Sequence, residues 1–497
     1  MNPKSIDVEP GYVYIDENEQ IRGSLYGFFV GDALGVPVEF VGRTSLKNNP
    51  IKDMEEYGTH NQPKGTWSDD SSMVLATIDS MYNNKEIFLQ NEIFNYDDLM
   101  NRYSMWKNQA EYTPNQKVFD IGITTSDAIS KYETNKSNVF CGSDNFNANG
   151  NGSLMRIIPL ALYTKWCISE GYTIKLLNDN YDVIKKFSSL THAHTLSIMS
   201  CYIYNFFVSN YIVLRDLNKT YIKTQKHFQD IFDGKIQKDY GDLELCKKYF
   251  DRLIYKDISK LKEDDIKSSG FVVDSLEASI WCVMTSNSFE ESVLKAVNLG
   301  DDTDTIGALT GALAGLVYGS IGIPKKWIDS LQRKEYLDDM INKYIELIQL
   351  RIKKNEDDWQ KSKDEYFERE RQSKFQRVTK GDWNIKPMTN NTKELKVDIK
   401  LTDKELEYIK LGHKPLEMED HFFMYYDDND NSINYYRSWT GIQVYKAYYN
   451  ENTKSIDRLV AHLVNEVYHS RITDEDLIKT FTNLINYDIE SRKELSK

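Results

Sequence analysis

Four glycines at four-residue spacing, Gly307, Gly311, Gly315 and Gly319, divide the otherwise almost wholly apolar stretch 306–323. Residues four apart share one face of a helix, so these glycines form a bare stripe along which another backbone can come very close. A second set, Gly23, Gly27 and Gly31, puts the same kind of face on a helix expected over residues 22–34. A chain with two such faces is constrained toward a close-packed helical core. Stretch 306–323 also reaches the length of about 18 residues at which a membrane span becomes a candidate. We read it as a buried core helix, because acidic and hydroxyl residues precede it without a basic anchor. No membrane association is expected.

Helical spacing of apolar residues continues to about residue 350, with further helices expected over 73–81, 196–213, 275–284 and 289–298. Residues 351–390 are dense in charge and poor in aliphatic side chains, which reads as an exposed helix or a linker. Beyond them, Phe422 to Tyr426, Ile433 to Trp439 and Ile442 to Tyr449 are aromatic runs separated by turn residues, the pattern of a β-meander. Helical spacing returns over 456–468 and 474–484. The expected organisation is an all-α domain over 1–350, the charged segment, and a small α+β domain of unassigned role over 391–497.

The chain has 497 residues, 40% of them hydrophobic, enough for a large core, and a net charge of −14. That field repels a phosphate backbone and argues against nucleic acid as a partner. Five cysteines without zinc-ligand spacing, and a start without an apolar run, fit a reducing, cytoplasmic setting.

Two acidic runs carry the chemistry. Ser68-Asp69-Asp70 and Asp301-Asp302-Thr303-Asp304-Thr305 each open into a helical pattern. One such residue is enough to cap a helix. Adjacent aspartates repel one another, and hard divalent ions such as Mg²⁺ or Mn²⁺ want several oxygen ligands, so a shared metal cage is the stronger reading. The loop 147–156, rich in asparagine and glycine, could wrap backbone N–H groups around a phosphate or form an ordinary surface turn. His192, in the run Leu190 to His194, suits hydrogen bonding to a substrate.

The motifs GDALGVPVEF, GTWSDDSS, FDIGITTSDAI, NGNGSLMRIIPLAL, LTHAH, SGFVVDSLEASIW and LGDDTDTIGALTGALAG occur in this order over residues 21–345. Together they resemble the ADP-ribosylglycohydrolase family, which includes the dinitrogenase-reductase-activating glycohydrolases. The resemblance implies an all-α catalytic domain with two Mg²⁺ or Mn²⁺ ions in a cleft for ADP-ribose. By motif, the metal ligands would be Ser68, Asp69, Asp70, Asp302, Asp304 and Thr305. Asp301 stands where many relatives have glycine and falls just outside that set. Asn149, Gly150, Gly152, Ser153 and Met155 would cradle the diphosphate and distal ribose, with His192 and Phe271 beside the substrate. Glu39 resembles a mobile glutamate at the cleft mouth, and Asp120 the aspartate of the FDIG motif; either could act as general acid or base.

Two departures fall on the substrate side: Ile123 replaces an expected asparagine, and Phe271 an expected tyrosine. The implied activity is hydrolysis of the bond between ADP-ribose and a protein side chain, most commonly arginine. Other ADP-ribosyl linkages, a small ADP-ribosyl compound as substrate, or a role in blocking an ADP-ribosyltransferase partner are the alternatives.

Overall fold

The computed structural model describes residues 15–89, 94–165, 180–415, 420–463 and 473–495. The chain forms two compact units, Met1–Glu356 and Asp357–Lys497.

The first unit is built of helices, and the glycine stripes explain its centre. The helices Glu17–Gly35 and Thr303–Tyr318 lie antiparallel, glycine on glycine. A Cβ added at Gly23 would stand 2.3 Å from Gly315 O, one at Gly27 2.1 Å from Gly311 O, and one at Gly31 2.0 Å from Gly307 O. No side chain fits such a seam, so each of these positions needs glycine for close approach, at a cost in helix propensity of about 1 kcal/mol per residue. At its end, a Cβ on Gly35 would meet Asp304 Cα at 2.4 Å, and Thr303 Oγ1 donates to Gly35 O at 2.8 Å. The seam therefore holds the second acidic run directly against the first helix.

The helix expected over 306–323 starts earlier, at Thr303, and stops at Tyr318, where Gly319 adopts a φ of 68°. Its residues Thr303–Leu316 are all buried. At 16 residues it is too short to be a membrane-span candidate; among the described residues one helix, Thr195–Leu214, is long and apolar enough by length and composition. It is 83% buried within the protein, as a core helix is. The other expected helices appear as Asp69–Asn83, Val272–Met284 and Phe289–Val297. The charge-dense segment continues the helix Lys334–Phe375, in which the boundary between the two units falls.

The second unit holds a five-stranded antiparallel sheet of order β1-β5-β4-β3-β2, with β1 Thr392–Lys400, β2 Phe422–Asp427, β3 Ser432–Arg437, β4 Gln443–Asn450 and β5 Ser455–His462. The helix Asp474–Leu495 shares its core through Leu477, Phe481, Ile485 and Ile489. The meander is present as β2 to β4.

The helix expected over 456–468 is not: its first part is strand β5, and 464–468 lie outside the described residues. Register explains the error. Tyr448 pairs with Arg458 but Tyr449 with Ile456, so Asp457 is an extra residue, a β-bulge. The bulge brings Ile456 and Leu459 into the same core three positions apart, a spacing that imitates a helix.

Candidate metal and sugar-binding cleft

The site begins at Asp32, a fully buried carboxylate on the glycine-striped helix Glu17–Gly35. It accepts from Ser68 N at 3.0 Å, Ser71 N at 3.1 Å and Ser71 Oγ at 2.5 Å. Those contacts moor the start of helix Asp69–Asn83, where Ser68 is the N-cap and accepts from Asp70 N. One helix thus fixes both acidic runs: Gly35 docks the second and Asp32 the first. Thr305 Oγ1 lies 3.5 Å from Asp70 Oδ1 across 235 positions of sequence.

The resulting floor is a set of buried carboxylates crowded together. Burial pushes Asp32 and Asp302 up to about 6. Burial and neighbouring carboxylates raise Asp69, Asp70 and Asp304 well above the usual carboxylate range. Glu39 is pushed up to about 10 by burial, then by Asp120 and Asp302. Among the described residues no donor reaches Asp70 Oδ2 or Asp304 Oδ2, although both are buried. A buried carboxylate oxygen without a partner is costly. A divalent cation removes that cost for several carboxylates at once, so the residues present fit a metal. One ligand-capable oxygen each from Glu39, Asp302 and Asp304 lie within 4.8 Å of one another.

Above the floor opens a cleft of about 670 Å³, within the range of about 300–1,000 Å³ that holds nucleotide-sized ligands. Glu39, Asp69, Asp70, Asp120, Gly150, Gly152, Met155, His192, Asp302 and Thr305 all line it. Of the other expected site residues, Ser68 and Asp304 are buried and are not among the residues that line it. Asn149 and Ser153 are buried behind the loop: Asn149 Oδ1 accepts from Ser197 Oγ at 2.9 Å, and Ser153 Oγ from Ser188 Oγ at 2.9 Å. Phe271 does not line the cleft either; it precedes helix Val272–Met284 and packs edge-on against Tyr249.

The asparagine-glycine loop is an ordered wall. Gly150 pairs with Phe271 in an isolated bridge, and Asn151 N donates to Gly270 O. The buried Arg156 guanidinium donates to Gly152 O and Phe187 O from behind. A Cβ on Gly152 would come 2.8 Å from His192 Cε1, so only glycine lets the loop pass. His192 is held down to about 3 by burial and then by Arg156, and its Nδ1 pairs with Thr191 Oγ1 at 2.8 Å. It is a neutral imidazole.

Sequence reasoning missed four contributors. Asp32 is an aspartate inside a helix of small apolar residues, which was the available signal. Asn151 donates to Asp302 Oδ2 at 2.5 Å and orients it. His60 pairs with Glu39, and Phe40, 66% exposed, stands at the mouth beside Ile123, 81% exposed. Phe40, Asp120 and Asp301, all on the cleft wall, hold positive φ of 64°, 55° and 62°. Such conformations are sparse for residues other than glycine and gather at functional sites. Phe40 N donates to Asp301 O, and Asp301 N to Val41 O, tying the two segments together.

Comparison with known proteins agrees with this geometry. An ADP-ribosylarginine hydrolase of Serratia proteamaculans is 28% identical over 339 residues, covering 68% of this chain and 82% of the relative. The ADP-ribosyl-[dinitrogen reductase] glycohydrolase of Rhodospirillum rubrum is 23% identical over 337 residues, covering 64% and 92%. A solved structure titled as an ADP-ribosylglycohydrolase-related protein complex superposes with a TM-score of 0.50 at 23% identity, covering 67% of this chain and 99% of that one, and shares its fold. The ADP-ribosylglycohydrolase family pattern matches residues 15–355, most of the chain and the whole of the cleft, and the protein belongs to that family.

Proposed function

We propose that this chain is a divalent-metal-dependent hydrolase that releases ADP-ribose from a modified arginine side chain. The observation that carries the proposal is the pair of buried, donorless oxygens on Asp70 and Asp304, brought together beneath a nucleotide-sized cleft. The named activity of the Serratia relative supports arginine as the linkage.

Ser68, Asp69, Asp70, Asp302, Asp304 and Thr305 would hold two Mg²⁺ or Mn²⁺ ions. Bound there, the ions would fix ribose hydroxyls and offset the charge of the carboxylate floor. The chain's own groups do the rest. The Gly150–Gly152 wall presents backbone to the diphosphate, and neutral His192 offers a hydrogen bond without adding charge. Glu39 and Asp120 form the acid–base pair. As the bond from C1″ to the guanidinium nitrogen breaks, its electron pair leaves on nitrogen; one carboxyl gives that nitrogen a proton, and the other takes one from the attacking water. The surrounding anions stabilise the oxocarbenium-like state between.

Incubation with an ADP-ribosylated arginine peptide and Mg²⁺ should release intact ADP-ribose, lost on chelation and restored by metal. Release only from serine-linked, nucleobase-linked or free ADP-ribosyl compounds would move the linkage. AMP as product, or no release from any of them, would overturn the proposal. We also propose a reducing, cytoplasmic setting, supported by the free and buried Cys141, Cys201, Cys246 and Cys282.

A further inference from the structure

His60 belongs to none of the motifs that carry the family resemblance and takes no part in the chemistry above, yet its Nε2 lies 2.5 Å from Glu39 Oε2. Glu39, His60 and Asp120 each place one ligand-capable atom within 4.8 Å of the others. The imidazole is enclosed by aromatic rings, with centroids 5.9 Å from Phe40 and 5.2 Å from Phe119. Its side chain is 14% exposed and that of Glu39 only 6%.

The loop that carries His60 is bound to the segment that carries Glu39. Thr59 N donates to Pro37 O at 2.9 Å, and Thr59 Oγ1 to Glu39 O at 2.7 Å. Gly58 takes a φ of 43°, and a Cβ there would stand 1.9 Å from Pro37 O. On the other side Gln62 Nε2 donates to His60 O at 3.1 Å, and Asn115 Nδ2 holds Gln62 Oε1 at 2.8 Å. Loop, imidazole and glutamate form one braced unit.

Glu39 needs bracing. Its carboxyl is grouped with Asp302 and Asp304 of the floor and also with Asp120, and among the described residues lining the cleft there is no lysine or arginine to hold it. A short hydrogen bond with an imidazole locked by two rings restricts the carboxyl to one orientation. We infer that His60 is a positioning residue that fixes Glu39 between the acidic floor and the mouth of the cleft. The inference rests on the proposed acid–base role of Glu39, and it departs from the expectation of a freely mobile glutamate.

The test compares wild type, His60→Ala and His60→Gln on an ADP-ribosylated arginine peptide with saturating Mg²⁺. His60→Ala should lower kcat by about 10- to 100-fold, the usual effect of losing a partner that orients a reactive group, with KM little changed. His60→Gln, whose side-chain amide can also donate to Glu39 Oε2, should recover most of the loss. Unchanged kcat in His60→Ala, a change confined to KM, or a glutamine variant no better than alanine would overturn the inference.

A second arm is independent of turnover. The proton shared in the short bond between His60 and Glu39 should give a downfield proton resonance that disappears in His60→Gln and shifts in Glu39→Gln. No such resonance, or one insensitive to Glu39→Gln, would refute the pairing. If wild type hydrolyses nothing, the functional proposal falls while this arm still decides the pairing; if His60→Ala unfolds, the glutamine variant and the resonance decide it.

Discussion

Replacing Gly311 by alanine tests how the site is held together. A Cβ at this position would lie 2.0 Å from Gly27 O and 2.7 Å from Gly27 C. An ordinary carbon–oxygen contact is about 3.3 Å, so the two helices must part by roughly 1.3 Å. Both clashing groups are backbone, and no rotamer change relieves them. The neighbouring rungs are as tight, at 1.9 Å for a Cβ on Gly315 against Gly23 O, so the whole seam opens rather than one contact. Overpacking of this kind costs about 1–3 kcal/mol and occasionally more, and alanine returns about 1 kcal/mol of helix propensity. With the strain at the upper end of that range, we expect a net loss of about 2 kcal/mol, a fall in melting temperature of about 3 °C for a unit of this size. Activity should suffer more, because the same seam sets Asp304 against Asp70, and a misplacement of about 1 Å can cost about 100-fold in rate. Gly42→Ala is the control, since a Cβ there meets nothing within 4 Å. If Gly311→Ala melts with wild type and with Gly42→Ala, the account of the seam is wrong.

The other expected outcomes concern the acidic floor and the loop. Asp32 and Asp302 sit at about 6 in the fold, above the unfolded value near 3.9. Their contribution to stability is present in full below the unfolded value and is lost as pH rises through about 6. Chelated protein should therefore melt higher at pH 5 than at pH 7.5, and Mg²⁺ or Mn²⁺ should raise the pH 7.5 value; the opposite slope in scanning fluorimetry would count against the buried carboxylates. Asp304→Asn removes one of the crowded charges, so without metal it should melt above wild type at pH 7.5 and gain less than wild type from Mg²⁺, while calorimetry detects weaker metal binding. Gly152→Ala brings a methyl within 2.8 Å of His192 Cε1 and should weaken ADP-ribose binding by about tenfold, roughly 1.4 kcal/mol; unchanged affinity by calorimetry would remove the loop from the binding wall.

Local pattern made the helical unit legible, because a glycine every fourth residue and apolar helical spacing are properties of the sequence itself. The acidic runs were legible for a related reason: adjacent aspartates at a helix start exceed what capping needs. What local pattern could not give is pairing at a distance. Asp32 reads as one polar residue in an apolar helix until Ser68 and Ser71 are seen donating to it. His60 has no signal of its own, since its meaning lies in a 2.5 Å contact with Glu39 across a turn. Strand β5 was misread because the bulge at Asp457 makes a strand imitate helical spacing. The helix Asp403–Leu411 was overlooked although Thr402 and Glu405 form a capping box that the sequence displays.

The glycine seam and the acidic floor are one device rather than two features that happen to adjoin. Carboxylates crowded together without cations repel one another, so a fold that gathers them must oppose that repulsion with something stiff. Side-chain packing would leave rotamers free to relax, whereas a glycine seam brings backbone against backbone, which has far fewer ways to yield. The rung at Gly35 ends against Asp304 Cα, and Asp32, three residues earlier on the same helix, grips the start of the other acidic helix through two backbone N–H groups. Both halves of the floor are therefore referred to a single rigid strut. Widening the seam should separate Asp70 from Asp304 and weaken metal binding, so the loss of metal affinity should track the loss of stability across alanine variants of Gly23, Gly27, Gly31, Gly307, Gly311 and Gly315.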